Sequence, residues 1–282
     1  MRNLVLLVAI FSVFTGIAQS TPRTPESWFD DLTDLYYDGD YWPALLGFER
    51  FLAAHPYSEL RPRAMYNRAS LLRELGKSEE AIIAFKEIMK SDFDELEPYG
   101  GIMEQYALFK NRSAAHLAEL YLEARQYDKA ETYVYLYDKV YPYKHFCGNE
   151  LTASAIYKAS LYARVYFGQG KSEKAIKTLL PHVFYNGLAD NGQITELLGE
   201  YLPKTYDRDQ MIAALEEAIG NFRPKNKEFG YLKLYGVKIP VQSYAFYDWQ
   251  YPVTEDVENL SWNAKLSMLL ENHPVFGRYF NL

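Results

Sequence analysis

Two segments of this chain, Gly76-Lys77-Ser78-Glu79-Glu80-Ala81-Ile82 and Gly170-Lys171-Ser172-Glu173-Lys174-Ala175-Ile176, stand ninety-four positions apart and nearly coincide. Each closes one amphipathic stretch and opens another. Self-similarity on this scale marks a chain of stacked supersecondary units, none of which buries its apolar face alone. Two weaker copies, Gly39-Asp40-Tyr41-Trp42-Pro43-Ala44 and Gln126-Tyr127-Asp128-Lys129-Ala130, complete a set of four.

Each copy reads as helix, tight turn, helix. In the first, Trp28, Leu32 and Leu35 recur at helical spacing over about Glu26 to Tyr37. Gly39 supplies a left-handed turn, and Ala44, Phe48, Phe51 and Leu52 line the second helix, which Pro56 stops. The second copy has Met65, Ala69 and Leu72, then Gly76, then Ala81, Phe85 and Ile88. The third has Ala114, Leu117, Ala118 and Tyr121, then Ala130, Val134 and Tyr137, with Pro142 as the stop and no turn glycine. The fourth has Ala159, Tyr162, Ala163 and Tyr166, then Gly170, then Ala175 and Leu179. A small residue stands wherever two helices must approach closely.

This pattern resembles the tetratricopeptide repeat family, in an exported bacterial-type member. Gly39, Ala44, Phe48 and Pro56 match that family at its own spacing, as do Ala69, Gly76, Ala81 and Phe85, and Ala163, Gly170 and Ala175. The signature alanines Ala44, Ala81, Ala130 and Ala175 are 37, 49 and 45 residues apart, against a family period of about 34, so the links between repeats are enlarged. The resemblance covers about residues 26–185. It implies an all-α solenoid of helix-turn-helix repeats, with the first helix of each repeat lining a concave groove. Transferred to this chain, the inward positions are Phe29, Thr33 and Tyr36; Arg63, Tyr66, Ser70 and Arg73; Arg112, Ala115, Glu119 and Leu122; and Tyr157, Ser160, Arg164 and Phe167.

Arginine and tyrosine are enriched at binding hot spots, so Arg63, Tyr66, Arg73, Arg112, Tyr157 and Arg164 are the candidate partner-binding residues. Four arginines inside a chain of net charge -7 suit an acidic or extended peptide. The carboxylate clamp of chaperone-tail-binding repeats is absent. Asn67 is in register, but its first-repeat companions are Phe29 and Thr33, and Asn111-Arg112-Ser113 lies five positions out of register.

Beyond the fourth copy, Gln193 to Tyr206 and Asp207 to Phe222 form a divergent fifth helix pair, with Asp207 as an N-cap and Pro203 ending or kinking the first helix early. The tail changes character at Arg223. Tyr231, Lys233, Tyr235, Val237, Ile239 and Val241 alternate with other residues, which predicts extended chain or a hairpin around Gly236. Trp249 and Tyr251 follow, and Glu255 to Glu271 reads as a last helix with acidic residues in its first turn. The expected organisation is a signal peptide over 1–20, a repeat array over 21–222 and a cap or partner-binding tail over 223–282.

The signal reading rests on Arg2, the apolar run Leu4 to Ile17, and the small residues Gly16, Ala18 and Ser20. Fourteen apolar residues fall short of the roughly 20 that span a bilayer. The lone Cys147 excludes an intramolecular disulfide and is expected to be small, buried or half-buried packing. No cysteine follows the apolar run to carry a lipid.

Chemical motifs are weak. Gly168-Gln169-Gly170-Lys171-Ser172 mimics the end of a phosphate loop, but Val165 stands where the first glycine belongs, and the turn joins two helices. The histidines His55, His116, His145, His182 and His273 show no metal-binding spacing and are expected mostly on the surface. The stripe Asp30, Asp31, Asp34 and Asp38 and the run Asp92, Asp94, Glu95 and Glu97 read as a solvated helix face and a solvated link. Asn111 and Asn259 open acceptor sequons. An acidic chain has no electrostatic reason to hold nucleic acid. The expected function is therefore a cofactor-free, metal-free scaffold for a protein or extended peptide. A glycan binder with an aromatic surface is the first alternative, and an enzyme with a catalytic tail, as in lytic transglycosylases, is the second.

Overall fold

The computed structural model describes residues 23–99, 104–184, 188–247 and 260–280. The signal segment, Trp249, Tyr251 and Asn259 lie outside them. Helices α1 (Pro25–Tyr37) and α2 (Tyr41–Ala54), α3 (Arg61–Glu74) and α4 (Ser78–Lys90), α5 (Phe109–Glu123) and α6 (Tyr127–Tyr135), and α7 (Gly148–Gly168) and α8 (Ser172–Leu179) form four helix-turn-helix pairs, followed by α9 (Gly192–Thr205) and α10 (Arg208–Gly220). Each helix from α1 to α8 packs on the next in chain order, giving a helical-repeat solenoid, whereas α10 packs on the strands and last helix of the tail.

One turn geometry serves four times. The N–H of Gly39 bonds to the Tyr36 carbonyl and that of Asp40 to Leu35, and the same two bonds recur at Gly76–Lys77 and Gly170–Lys171. This is the Schellman ending, which demands a left-handed residue. Gly39, Gly76 and Gly170 have φ of 85°, 71° and 75°. The third repeat lacks the glycine and makes the same turn regardless, with Arg125 at φ 54°.

Beyond each turn, Ala44, Ala81, Ala130 and Ala175 are fully buried. Full burial of a side chain such as Phe48 or Phe85 beside them contributes about 1.5–3 kcal/mol. The apolar interior forms two cores. One runs from Phe29 to Val165 through the first three repeats, and the other from Ile156 to Tyr279. They overlap along α7.

Both helices of the expected fifth pair form, and Asp207 caps the second with Gln210 as a capping box, but α10 packs against the tail rather than pairing with α9. Pro203 does not end the helix, since α9 continues past it to Thr205. Proline withholds an N–H from the carbonyl four residues back, and here that carbonyl, on Gly199, accepts from Arg278 Nη1 at 3.0 Å.

The tail contains a three-stranded antiparallel sheet in the order β1 (Arg223–Pro224), β2 (Phe229–Leu234), β3 (Val237–Gln242). Leu232 faces Ile239 and Gly230 faces Val241 on the buried side, whereas Tyr231 and Lys233 point outward. Tyr235 and Gly236, at φ 50° and 80°, form the hairpin turn. The Tyr235 ring is stacked 4.1 Å from Tyr206, and its hydroxyl donates to Met211 Sδ. The last helix, α11 (Trp262–Asn272), begins later than expected. Ser261 caps it by accepting the Ala264 N–H, and Glu255 and its acidic neighbours lie outside the described residues. No helix among the described residues is long and apolar enough to cross a membrane.

Candidate partner-binding cleft

The inner faces of α1, α3 and α5 enclose an open cleft of about 590 Å³. Residues three and four apart share a helix face, so Arg63, Tyr66, Ser70 and Arg73 form one wall, opposite Phe29, Thr33 and Tyr36 on one side and Arg112 and His116 on the other. Arg63, Tyr66, Arg73 and Arg112 thus meet in one place. Tyr157 stands one repeat further along, its ring edge-on to Tyr137 at 5.8 Å. Arg164 is not part of this lining. It is half-buried near Tyr201 and makes no ion pair among the described residues.

Arg73 is the hub of a polar chain. It meets Glu119 at 2.6 Å, Glu123 at 3.5 Å and the Nδ1 of His116. A guanidinium only donates, so Nδ1 accepts and the imidazole proton resides on Nε2, 3.0 Å from the Tyr66 oxygen. Phe85 stacks on the ring with centroids 4.7 Å apart. Burial, then the Arg73 charge, lower the His116 pKa to about 4, so the ring is neutral at pH 7. The Tyr157 phenol faces Glu119, and burial followed by that carboxylate pushes its pKa up. The chain Tyr66–His116–Arg73–Glu119–Tyr157 ties three repeats together.

The surface expectation for histidines is therefore corrected at His116 and at His273, which is 2% exposed. The Nδ1 of His273 accepts the Val275 N–H, and its Nε2 lies 3.3 Å from the Val183 carbonyl oxygen. A neutral imidazole with both nitrogens satisfied can be buried. Cys147 is half-buried, as expected.

The solvated-link expectation is also corrected. Asp92 and Asp94 are exposed, but Glu95 and Glu97 are docked. Both oxygens of Glu95 accept the Lys110 N–H at 3.0 Å, capping α5, whose own N-cap Leu108 offers no side-chain acceptor. Glu97 lies 3.2 Å from Arg63 Nε, and Arg63 Nη2 donates to the Pro98 carbonyl at 2.6 Å. The Tyr99 ring then sits 5.3 Å from the Arg63 guanidinium and 5.0 Å from that of Arg112. Arg112 also pairs with Glu104 at 3.3 Å. Arg63, Arg73 and Arg112 thus already hold carboxylates of their own chain, which counting arginines could not reveal.

Asn67 lines the cleft, is 9% exposed and makes no hydrogen bond among the described residues. Asn111, by contrast, is committed: its amide donates to the Tyr137 and Tyr141 carbonyls, and at 2% exposure its sequon is closed in the folded protein. Sequence reasoning missed Tyr99, Glu104 and His116. Only the enlargement of the link between Ala81 and Ala130 hinted at the first two. Among the described residues no group of His, Cys, Asp and Glu could hold a metal ion.

A search of curated proteins finds no match to this chain. Residues 62–95, which comprise α3, its turn and α4, match the family model of the tetratricopeptide repeat. That match falls on the repeat with the fullest set of signature residues, and the same turn recurs in three other helix pairs; residues 62–95 are a tetratricopeptide repeat within a helical-repeat array.

Proposed function

We propose that this protein is a non-enzymatic scaffold, exported to the cell envelope or secreted space, that holds an extended segment of a partner protein in the cleft between α1, α3 and α5. Tetratricopeptide repeats mediate protein–protein interaction, and Asn67 is the observation that carries the site. A side-chain amide both donates and accepts, so one that meets no protein group and opens into a cleft matches the C=O and N–H of an extended backbone. Tyr36, Tyr66 and Arg73 surround it with the side chains that anchor peptides. The tail over 223–282 acts as the cap, its hairpin and α11 closing the core beyond α10. Stacking of a glycan has less support, because the exposed Trp42 already carries the Lys77 ammonium 5.3 Å from its ring.

A photo-crosslinking residue at Thr33, inside the cleft, should capture a protein partner, whereas one at Leu46, exposed outside it, should not. Capture from position 46 alone would reject the cleft. Charge reversal at Arg164 should leave the fold intact and shows whether the partner extends past Tyr157. Export is tested separately: the N-terminus of the protein recovered from outside the cytosol should be Gln19 or Thr21, and an intact Met1 on a cytosolic protein would sink that reading.

A further inference from the structure

Three consecutive residues of the link between α4 and α5 converge on one cleft arginine. Glu97 offers its carboxylate to Arg63, Pro98 its carbonyl and Tyr99 its ring, and Arg112 also lies 5.0 Å from the centre of that ring. The rest of the cleft, around Asn67, remains open. This is how an arginine-walled groove would seat a foreign segment, with charge, backbone and aromatic face read together.

The attachment of these residues is incomplete. Glu95 fastens the base of the link to α5, and a single bridge at Pro98 and Tyr106 holds the segment itself: the Ala107 N–H reaches the Glu97 carbonyl at 2.9 Å, but Tyr99 N–H reaches the Gln105 carbonyl only at 3.4 Å. Gln105 Oε1 is buried with no hydrogen-bond partner. An orphaned buried acceptor disfavours the docked arrangement and is relieved when the segment leaves.

We propose that Glu97–Pro98–Tyr99 is an internal stand-in for the partner, and that the partner segment carries a carboxylate two residues before an aromatic ring and binds by displacing it. The proposal rests on the cleft reading above and names the chemistry of its occupant. The arginines select the acid and the ring, and Asn67 pairs with the backbone that continues into the open part.

The probe is a capped, fluorescent hexapeptide with the sequence of residues 94–99, titrated against full-length wild type, Tyr99→Ala and Glu97→Gln, with melting curves to confirm folding. Two variants are used because Tyr99 also packs edge-on against Phe109. The peptide should bind both variants at least tenfold tighter than wild type, and adding Arg63→Ala should abolish the gain. A peptide lacking the acid and the ring should not bind. Equal affinity for wild type and both variants would overturn displacement, and loss of that binding in Asn67→Ala would leave the cleft reading standing. No binding to any folded protein would overturn the recognition rule, with the Thr33 crosslink deciding the cleft independently.

Discussion

Arg278 donates through Nη1 to the carbonyl oxygen of Gly199, 3.0 Å away, the acceptor that Pro203 leaves open four residues later. A residue of the tail thereby repairs a defect inside α9. Arg278→Ala should lower the unfolding free energy by about 0.5–1.5 kcal/mol. In a Pro203→Ala background, where an alanine N–H can fill the gap, the same change should cost less. Urea titration of the four proteins gives the coupling, and equal losses in both backgrounds would show that Arg278 acts through other contacts.

The four repeat turns make a comparison within one chain. Arg125 adopts φ 54° where Gly39, Gly76 and Gly170 stand in the other repeats. A side chain in that region costs about 1–2 kcal/mol, partly offset because glycine loses more entropy on folding. Arg125→Gly should stabilise by about 0.5–1 kcal/mol, and Gly76→Ala should destabilise by a similar amount. Thermal melting that moves both variants in the same direction would contradict this.

Ala44 and Ala81 lie in the first turn of the second helix of the first two repeats, and neither has exposed surface. Replacing either by Leu forces extra methylenes into a filled space and should cost about 1–3 kcal/mol. Unchanged denaturation midpoints in both variants would refute the packing role given to them.

Acid should weaken the fold through its histidines. His116 and His273 have pKa values lowered from 6.5 to about 4, chiefly by burial, and burial lowers His182 as well. Between those values the unfolded chain binds protons that the folded chain refuses. Stability is therefore full above about 6.5 and declines as pH falls toward 4. For His116 and His273 the loss from pH 7 to pH 5 is on the order of 1–2 kcal/mol each. His273→Gln and His116→Gln should each flatten the fall in urea midpoint over this range. A slope unaltered in both would exclude them as its source.

What sequence reasoning could see was local. Ala44, Ala81, Ala130 and Ala175 announce themselves because helix packing is a rule written at fixed spacing, and the same spacing brought Arg63, Tyr66 and Arg73 to one wall. It could not see what a link folds back onto. Tyr99 and Glu104 reach the cleft from a segment with no periodicity, so nothing in their order shows that Arg63 and Arg112 hold them. His116 was hidden for another reason. It follows Arg112 by four positions, one step off the inward set, and only the Arg73 and Tyr66 side chains crossing from α3 draw it in. That α9 continues past Pro203 could not be read locally, because the arginine that takes up the Gly199 carbonyl lies in the tail.

The bond between His273 and Val183 spans ninety positions, and it sets the order in which the chain can mature during synthesis. The core from Phe29 to Val165 uses only residues already made by the time α7 emerges from the ribosome. The other core needs Phe276 and Tyr279, which are made only after α11. Nascent chains stalled after α9 should therefore resist protease through α5 while α8 and α9 are still cut, and protection of the latter should arrive only once Tyr279 has emerged. Unprotected early repeats in such chains would mean that the whole array waits for its end.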